Sequence, residues 1–213
     1  RKYVKNRNGN IQMINKTIGI IGCGNMGQAI IAGLVLSGSV KIKNILIADS
    51  DKSKTNLVKK FKINIVKSNE ELVSESDVII LAVKPQVMEA VLNEIKNSLT
   101  NNKLIISIAA GITTRYIEKK LGQRTKAVRV MPNTPALVQE AMSALCAGKK
   151  AAASDLKLAL NIFECLGEVA VVKENLFDAV TAVSGCGAAY YFYLSEILIN
   201  LAKENGLSEE LAQ

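Results

Sequence analysis

Gly22, Gly24 and Gly27 stand in a G-x-G-x-x-G spacing directly after the apolar run Ile18-Gly19-Ile20-Ile21, and glycines so placed handle phosphate. Gly22 would make a tight turn, Gly24 would let the backbone approach a pyrophosphate, and Gly27 would let the next helix pack closely on the strand. The phosphates would then rest along Gly22-Cys23-Gly24-Asn25-Met26-Gly27, against N–H groups at the helix start. Asp49 follows Gly27 by 22 positions, where a carboxylate meets an adenosine ribose. Together these residues describe a dinucleotide site for NADP(H) or NAD(H). Asp49 would repel a 2′-phosphate and favour NADH, whereas Ser50, Lys52 and Lys54 could bind that phosphate and favour NADPH.

Two further positions could touch ligand. Lys84-Pro85 ends the apolar run Asp77-Val78-Ile79-Ile80-Leu81-Ala82-Val83, and loops at the carboxyl ends of parallel strands are where such folds bind their ligands. Lys84 therefore points to cofactor or substrate, the plainer reading being a solvated lysine. Met131-Pro132-Asn133-Thr134-Pro135 braces an amide and a hydroxyl between two prolines, either as a site or as a structural turn.

Short β-branched runs separated by helical stretches supply the frame for these residues. Strands are predicted at residues 18–21, 44–48, 63–66, 77–83, 103–108, 126–130, 142–147 and 169–172. Helices are predicted after Gly27, over 53–60, from Asn69 as cap, after Pro85, from the Thr113 cap to Leu121, and over 154–166. Strands alternating with helices make an α/β, Rossmann-like, doubly wound parallel sheet. Ala109-Ala110-Gly111, at the end of the fifth strand, would admit a flat ring or, equally, a neighbouring helix. Beyond Val172 the pattern turns all-helical. Residues 174–182 read as helix, Ser184-Gly185-Cys186-Gly187 as an interruption, and residues 188–204 as a helix apolar nearly all round, which must be buried against something larger than itself.

Bulk composition narrows the classes. Five of the 27 basic residues (Arg1, Lys2, Lys5, Arg7, Lys16) lie in the first sixteen positions, so much of the +8 charge belongs to a leader rather than to a nucleic-acid surface. No apolar run reaches the roughly 18–20 residues of a bilayer span. Cys23, Cys146, Cys165 and Cys186 form no C-x-x-C pair and the chain has no histidine, so no metal site is expected and the cysteines read as reduced thiols of a cytoplasmic protein. Expected domains are a leader at 1–12, disordered or extraneous, a dinucleotide-binding domain at 13–174 and a helical dimerisation domain at 175–213.

In combination, Gly22 to Gly27, Leu81-Ala82-Val83-Lys84-Pro85-Gln86, Ser107-Ile108-Ala109-Ala110-Gly111, Met131 to Val138, and Asp178-Ala179-Val180-Thr181-Ala182-Val183-Ser184-Gly185-Cys186-Gly187 closely resemble pyrroline-5-carboxylate reductase, the last enzyme of proline synthesis. The resemblance implies a homodimer or higher homo-oligomer with interlocked helices. It also implies that Ser50 and Asn69 lie along the adenosine, that Ala82, Val83, Lys84, Pro85 and Ala110 line the ribose and nicotinamide side, and that Glu174 takes part in the substrate site. Asn133, Thr134 and Ser184 would orient the ring of 1-pyrroline-5-carboxylate while hydride reaches its C=N carbon. The family continues past the position of Gln213 into a carboxylate-binding Ser-Pro-Gly-Gly-Thr-Thr segment, so the resemblance implies a chain lacking its C-terminal end, able to bind cofactor and turning over poorly alone. A 3-hydroxyacid or phosphogluconate-type dehydrogenase would share the first domain but needs a base, commonly a lysine, on the helix that follows, and residues 178–193 hold none. A non-catalytic NAD(P)-binding dimer would have no need of Pro132-Asn133-Thr134-Pro135.

Overall fold

The computed structural model describes residues 13–56 and 61–213. The expected leader and the last turn of the helix expected at 53–60 lie outside the described residues. Among the described residues eight strands form one sheet: β1 (Ile18–Ile21), β2 (Ile45–Ala48), β3 (Asn64–Ile65), β4 (Val78–Leu81), β5 (Leu104–Ser107), β6 (Lys126–Met131), β7 (Ala141–Ala147) and β8 (Gly167–Val171). Their order is β3-β2-β1-β4-β5-β6-β7-β8. All neighbours run parallel except β6 and β7, so β7 and β8 point against the rest. The chain reverses its direction of travel at β1, where β2 pairs on one side and β4 on the other, and such a switch point opens the crevice that holds a dinucleotide.

Side-chain alternation explains the near-continuous apolar runs of the parallel strands. Ile18, Ile20, Ile45, Ile47, Val78, Ile80, Leu104 and Ile106 enter one core, packed by α1 (Asn25–Ser37) and α6 (Ala153–Phe163). Ile21, Leu46, Ile79, Leu81 and Ile105 enter the other, under α3 (Asn69–Glu75), α4 (Met88–Ile95) and α5 (Thr114–Leu121). A strand covered on both faces needs apolar residues at every position, and each isoleucine so buried stabilises by about 1.5–3 kcal/mol. Gly19 exists for the same reason: a Cβ there would lie 2.3 Å from Leu72 on α3.

Helix ends follow local chemistry. Gly38 takes φ 65° to close α1, and the Thr113 hydroxyl accepts the Tyr116 N–H to open α5. α3 corrects one expectation: its cap is Ser68, whose hydroxyl accepts the Glu71 N–H, and Asn69 is the first helical residue. α2 is described over Lys52–Asn56.

After β8 the chain stays helical with little break. A 3-10 turn (Glu174–Leu176) leads into α7 (Phe177–Val180), a π turn (Thr181–Gly185), α8 (Gly187–Glu204) and α9 (Glu209–Ala212). The expected interruption at Ser184-Gly185-Cys186-Gly187 is therefore a widened helical turn, closed by Cys186 N–H donating to Thr181 O over 2.8 Å. α8 buries none of its residues; Tyr191, Leu194 and Leu198 are 74%, 52% and 56% exposed. By length and composition alone, Glu174–Glu204 could cross a membrane, against the expectation that no run is long enough; the helical run passes because its apolar stretch tolerates a few polar residues.

Candidate active site

The glycine loop fits a dinucleotide pyrophosphate on three observations. Gly22 sits at φ +102°, and a Cβ on it would lie 2.5 Å from Ala82 O. A Cβ on Gly27 would lie 2.1 Å from Gly22 O, so the start of α1 rests directly on the turn. A Cβ on Gly24 would meet nothing within 4 Å: that glycine faces the open crevice. The first turn of α1, with Asn25 exposed and Met26 half-buried, carries no acidic residue and no side-chain cap, so its N–H groups are left for an anion. Gln28 braces the loop from within α1, its amide donating to Cys23 O at 2.7 Å.

The expected ribose ligand Asp49 is turned toward this loop. Its Oδ2 accepts the Cys23 N–H at 2.6 Å and its Oδ1 the Asp51 N–H at 2.8 Å. Burial, then the neighbouring Asp49 charge, push the Cys23 thiol up to about 12, so Cys23 stays a neutral packing group. Ser50 is exposed just beyond, and Asn69 donates to Glu94 Oε2 at 2.7 Å.

The ends of β1, β4 and β5 line the crevice. Ala82 N–H donates to Ile21 O at 2.8 Å and ties the end of β4 to that of β1. Val83 is half-buried, and its Cγ1 would be 3.1 Å from a Cβ on Gly22. Lys84 and Pro85 are exposed at the start of a 3-10 turn (Pro85–Val87). Ala110 is exposed beside Gly111, whose φ of +74° turns the chain toward α5.

On the far side of the crevice β6 runs into Pro132 and Asn133. Asn133 Oδ1 accepts the Met142 N–H at 3.0 Å, which orients the amide so that Nδ2 lies 3.5 Å from Ser184 Oγ on the π turn. Thr134 is exposed at the next position. The structure thus brings Asn133 and Ser184 together across 51 positions, but it engages Glu174 elsewhere. Glu174 Oε1 accepts the Thr114 N–H at 2.7 Å, Oε2 accepts the Thr114 hydroxyl at 2.8 Å, and Arg129 Nη1 stands 3.5 Å from Oε1.

Comparison with known proteins decides the family. Pyrroline-5-carboxylate reductase of Methanosarcina acetivorans is 42% identical over 201 residues, covering 94% of this chain and 74% of that protein. The Escherichia coli enzyme of the same name is 40% identical over 195 residues, covering 91% and 72%. The chain belongs to the pyrroline-5-carboxylate reductase family. Residues 174–213 match the family described as pyrroline-5-carboxylate reductase dimerisation, and residues 17–111 match one described as NADP oxidoreductase coenzyme F420-dependent. The crystal structure of Plasmodium falciparum pyrroline carboxylate reductase with NADP bound superposes with a TM-score of 0.84 at 38% identity, covering 94% of this chain and 74% of that one. The chain is therefore an NAD(P)-dependent oxidoreductase with a Rossmann-like sheet and a helical dimerisation segment.

Within this reductase, sequence reasoning passed over Gln28, Thr114 and Arg129. Arg129 left a visible signal, a cation inside the otherwise apolar run Ala127-Val128-Arg129-Val130. It is only 3% exposed, and its guanidinium lies 4.5 Å from the centre of the Phe177 ring. Thr114 left none, since a threonine in the first turn of a helix is ordinary.

Proposed function

We propose that this chain reduces the C=N bond of 1-pyrroline-5-carboxylate to give L-proline with NADPH or NADH as reductant, the last step of proline biosynthesis. The observation that carries this reading is the meeting of Asn133 and Ser184 at the mouth of a dinucleotide crevice, within a chain of this family. When bound, the reduced nicotinamide supplies the hydride that adds to the imine carbon. The backbone N–H groups of 22–27 hold the pyrophosphate, Ser50 and Asn69 border the adenosine, and Ala82, Val83, Lys84, Pro85 and Ala110 border the nicotinamide ribose and ring. Asn133 Nδ2, Thr134 Oγ1 and Ser184 Oγ orient the pyrroline ring so that its carbon faces that side; what the protein contributes is mainly geometry.

The ring nitrogen receives its proton from water. With no histidine in the chain, no imidazole serves as general acid. We also infer a dinucleotide-binding domain at 13–174 and a helical domain at 175–213, with the apolar surface of α8 covered by a second copy of the chain. The dimerisation match over 174–213 favours that partner over a bilayer. Nucleic acid has no part in this reading, and the enzyme is placed in the cytoplasm.

The test follows NADPH or NADH consumption with 1-pyrroline-5-carboxylate, and proline formation by amino-acid analysis. Proline accumulating in step with cofactor oxidation is expected, with no oxidation of 3-hydroxyacids by NADP or NAD. Oxidation of 3-hydroxyacids in place of reduction of the imine would overturn the reading.

A further inference from the structure

Glu174 stands at the point where the helical segment leaves the sheet, and its carboxylate joins three elements. Thr114, the first residue of α5, donates both its N–H and its hydroxyl to it, and Arg129 of β6 faces it at 3.5 Å. Thr114 and Arg129 are 4% and 3% exposed and the Glu174 side chain 30%, so a half-buried carboxylate meets two buried partners. From Glu174 the chain is helical without a gap to Gly185, through a 3-10 turn, α7 and the π turn. That rod follows β6: Phe177 lies against Arg129, and Gly185 backs onto Met131, whose Cε would be 2.6 Å from a Cβ there. Ser184 is on the rod, and Asn133 is four residues beyond Arg129, just past the end of the strand the rod follows.

We propose that Glu174 is a positioning residue: with Thr114 and Arg129 it clasps the base of the helical segment to β5–α5 and β6, and thereby sets Ser184 against Asn133. The role rests on the reading that Asn133 and Ser184 hold the substrate, and it places Glu174 itself out of contact with that substrate.

Four variants test this in the full chain: Thr114→Val, Glu174→Gln, the pair together, and Thr114→Ser as the conservative control. Thr114→Val and Glu174→Gln are each expected to lower kcat/KM for 1-pyrroline-5-carboxylate by on the order of tenfold to a hundredfold, the cost of a small misplacement, without a measurable change in NADPH affinity. The double variant should lose no more than the worse single one, because both remove the same contact. Thr114→Ser, which keeps the hydroxyl, should restore the wild-type value. Hydrogen exchange at Cys186, whose N–H closes the π turn, should quicken in Thr114→Val and Glu174→Gln alike.

Loss of activity in Glu174→Gln with a wild-type kcat/KM in Thr114→Val would overturn the proposal in favour of direct substrate contact. Parallel loss of NADPH affinity would overturn it in favour of a merely structural role. If the wild-type chain oxidised 3-hydroxyacids instead of reducing the imine, the proposed reaction would fall, whereas the clasp would still be judged by exchange, and unchanged exchange in both variants would refute it.

Discussion

The Cys23 amide donates to Oδ2 of Asp49 over 2.6 Å, so the carboxylate at the end of β2 works as a strut beneath the glycine turn. Its other oxygen is held by the Asp51 N–H. A hydrogen bond to a charged group contributes about 1.5–3 kcal/mol, and here that contribution shapes the loop used by either cofactor. Asp49→Ala is expected to weaken NADH and NADPH together, by on the order of tenfold each, read by fluorescence titration. A selective gain for NADPH would instead put the carboxylate on the ribose.

The glycines of the loop should separate function from stability. Gly24→Val places its side chain in the open crevice, so an unchanged melting temperature with lost cofactor binding is expected. Gly27→Ala forces a methyl group against Gly22 O, and overpacking of this kind costs about 1–3 kcal/mol, so calorimetry should show a lowered Tm.

α8 should control assembly. Leu194 and Leu198 lie one turn apart on it and are both more than half exposed. Charging both, in Leu194→Glu/Leu198→Glu, is expected to give monomers in sedimentation velocity at concentrations where the wild type associates. An unchanged sedimentation coefficient would place the subunit contact elsewhere.

Three thiols give a pH signature. Burial pushes Cys23, Cys146 and Cys165 up from 9.0 to about 12 in the fold, with the Asp49 and Glu174 charges adding to the first two. In the unfolded chain these groups ionise first as pH rises, so above about pH 9 the unfolded state binds fewer protons and stability must fall. Their contribution is complete below pH 9 and drains away toward pH 12. Urea midpoints should reflect this, with a shallower alkaline decline in Cys165→Ala than in the wild type.

The strands were legible because most are short apolar runs, several of them ended by a glycine, a proline or an acid, and their bounds moved by no more than two residues. Non-local and side-chain facts were not. Asp49 was found by its spacing, but spacing does not say which way a carboxylate turns. Ser68 and Asn69 are both good caps in adjacent positions, and only backbone geometry chose Ser68. The π turn was hidden because Ser184-Gly185-Cys186-Gly187 has poor helix propensity, and i to i+5 bonding that ends at Cys186 carries the helix through. Glu174 and Thr114 are 60 positions apart, with nothing in either local sequence to announce the other.

The strand order also sets a sequence in time. Once β1, β2 and β3 have formed one flank, every later strand from β4 to β8 adds to the same growing border in the order in which it is synthesised. As the chain leaves the ribosome, each strand meets a finished neighbour on which to pair, and no place must be held open for a segment still to come. The adhesive α8 emerges only after β8, behind a sheet already long enough to have folded, so its apolar surface is kept back while the strands are pairing.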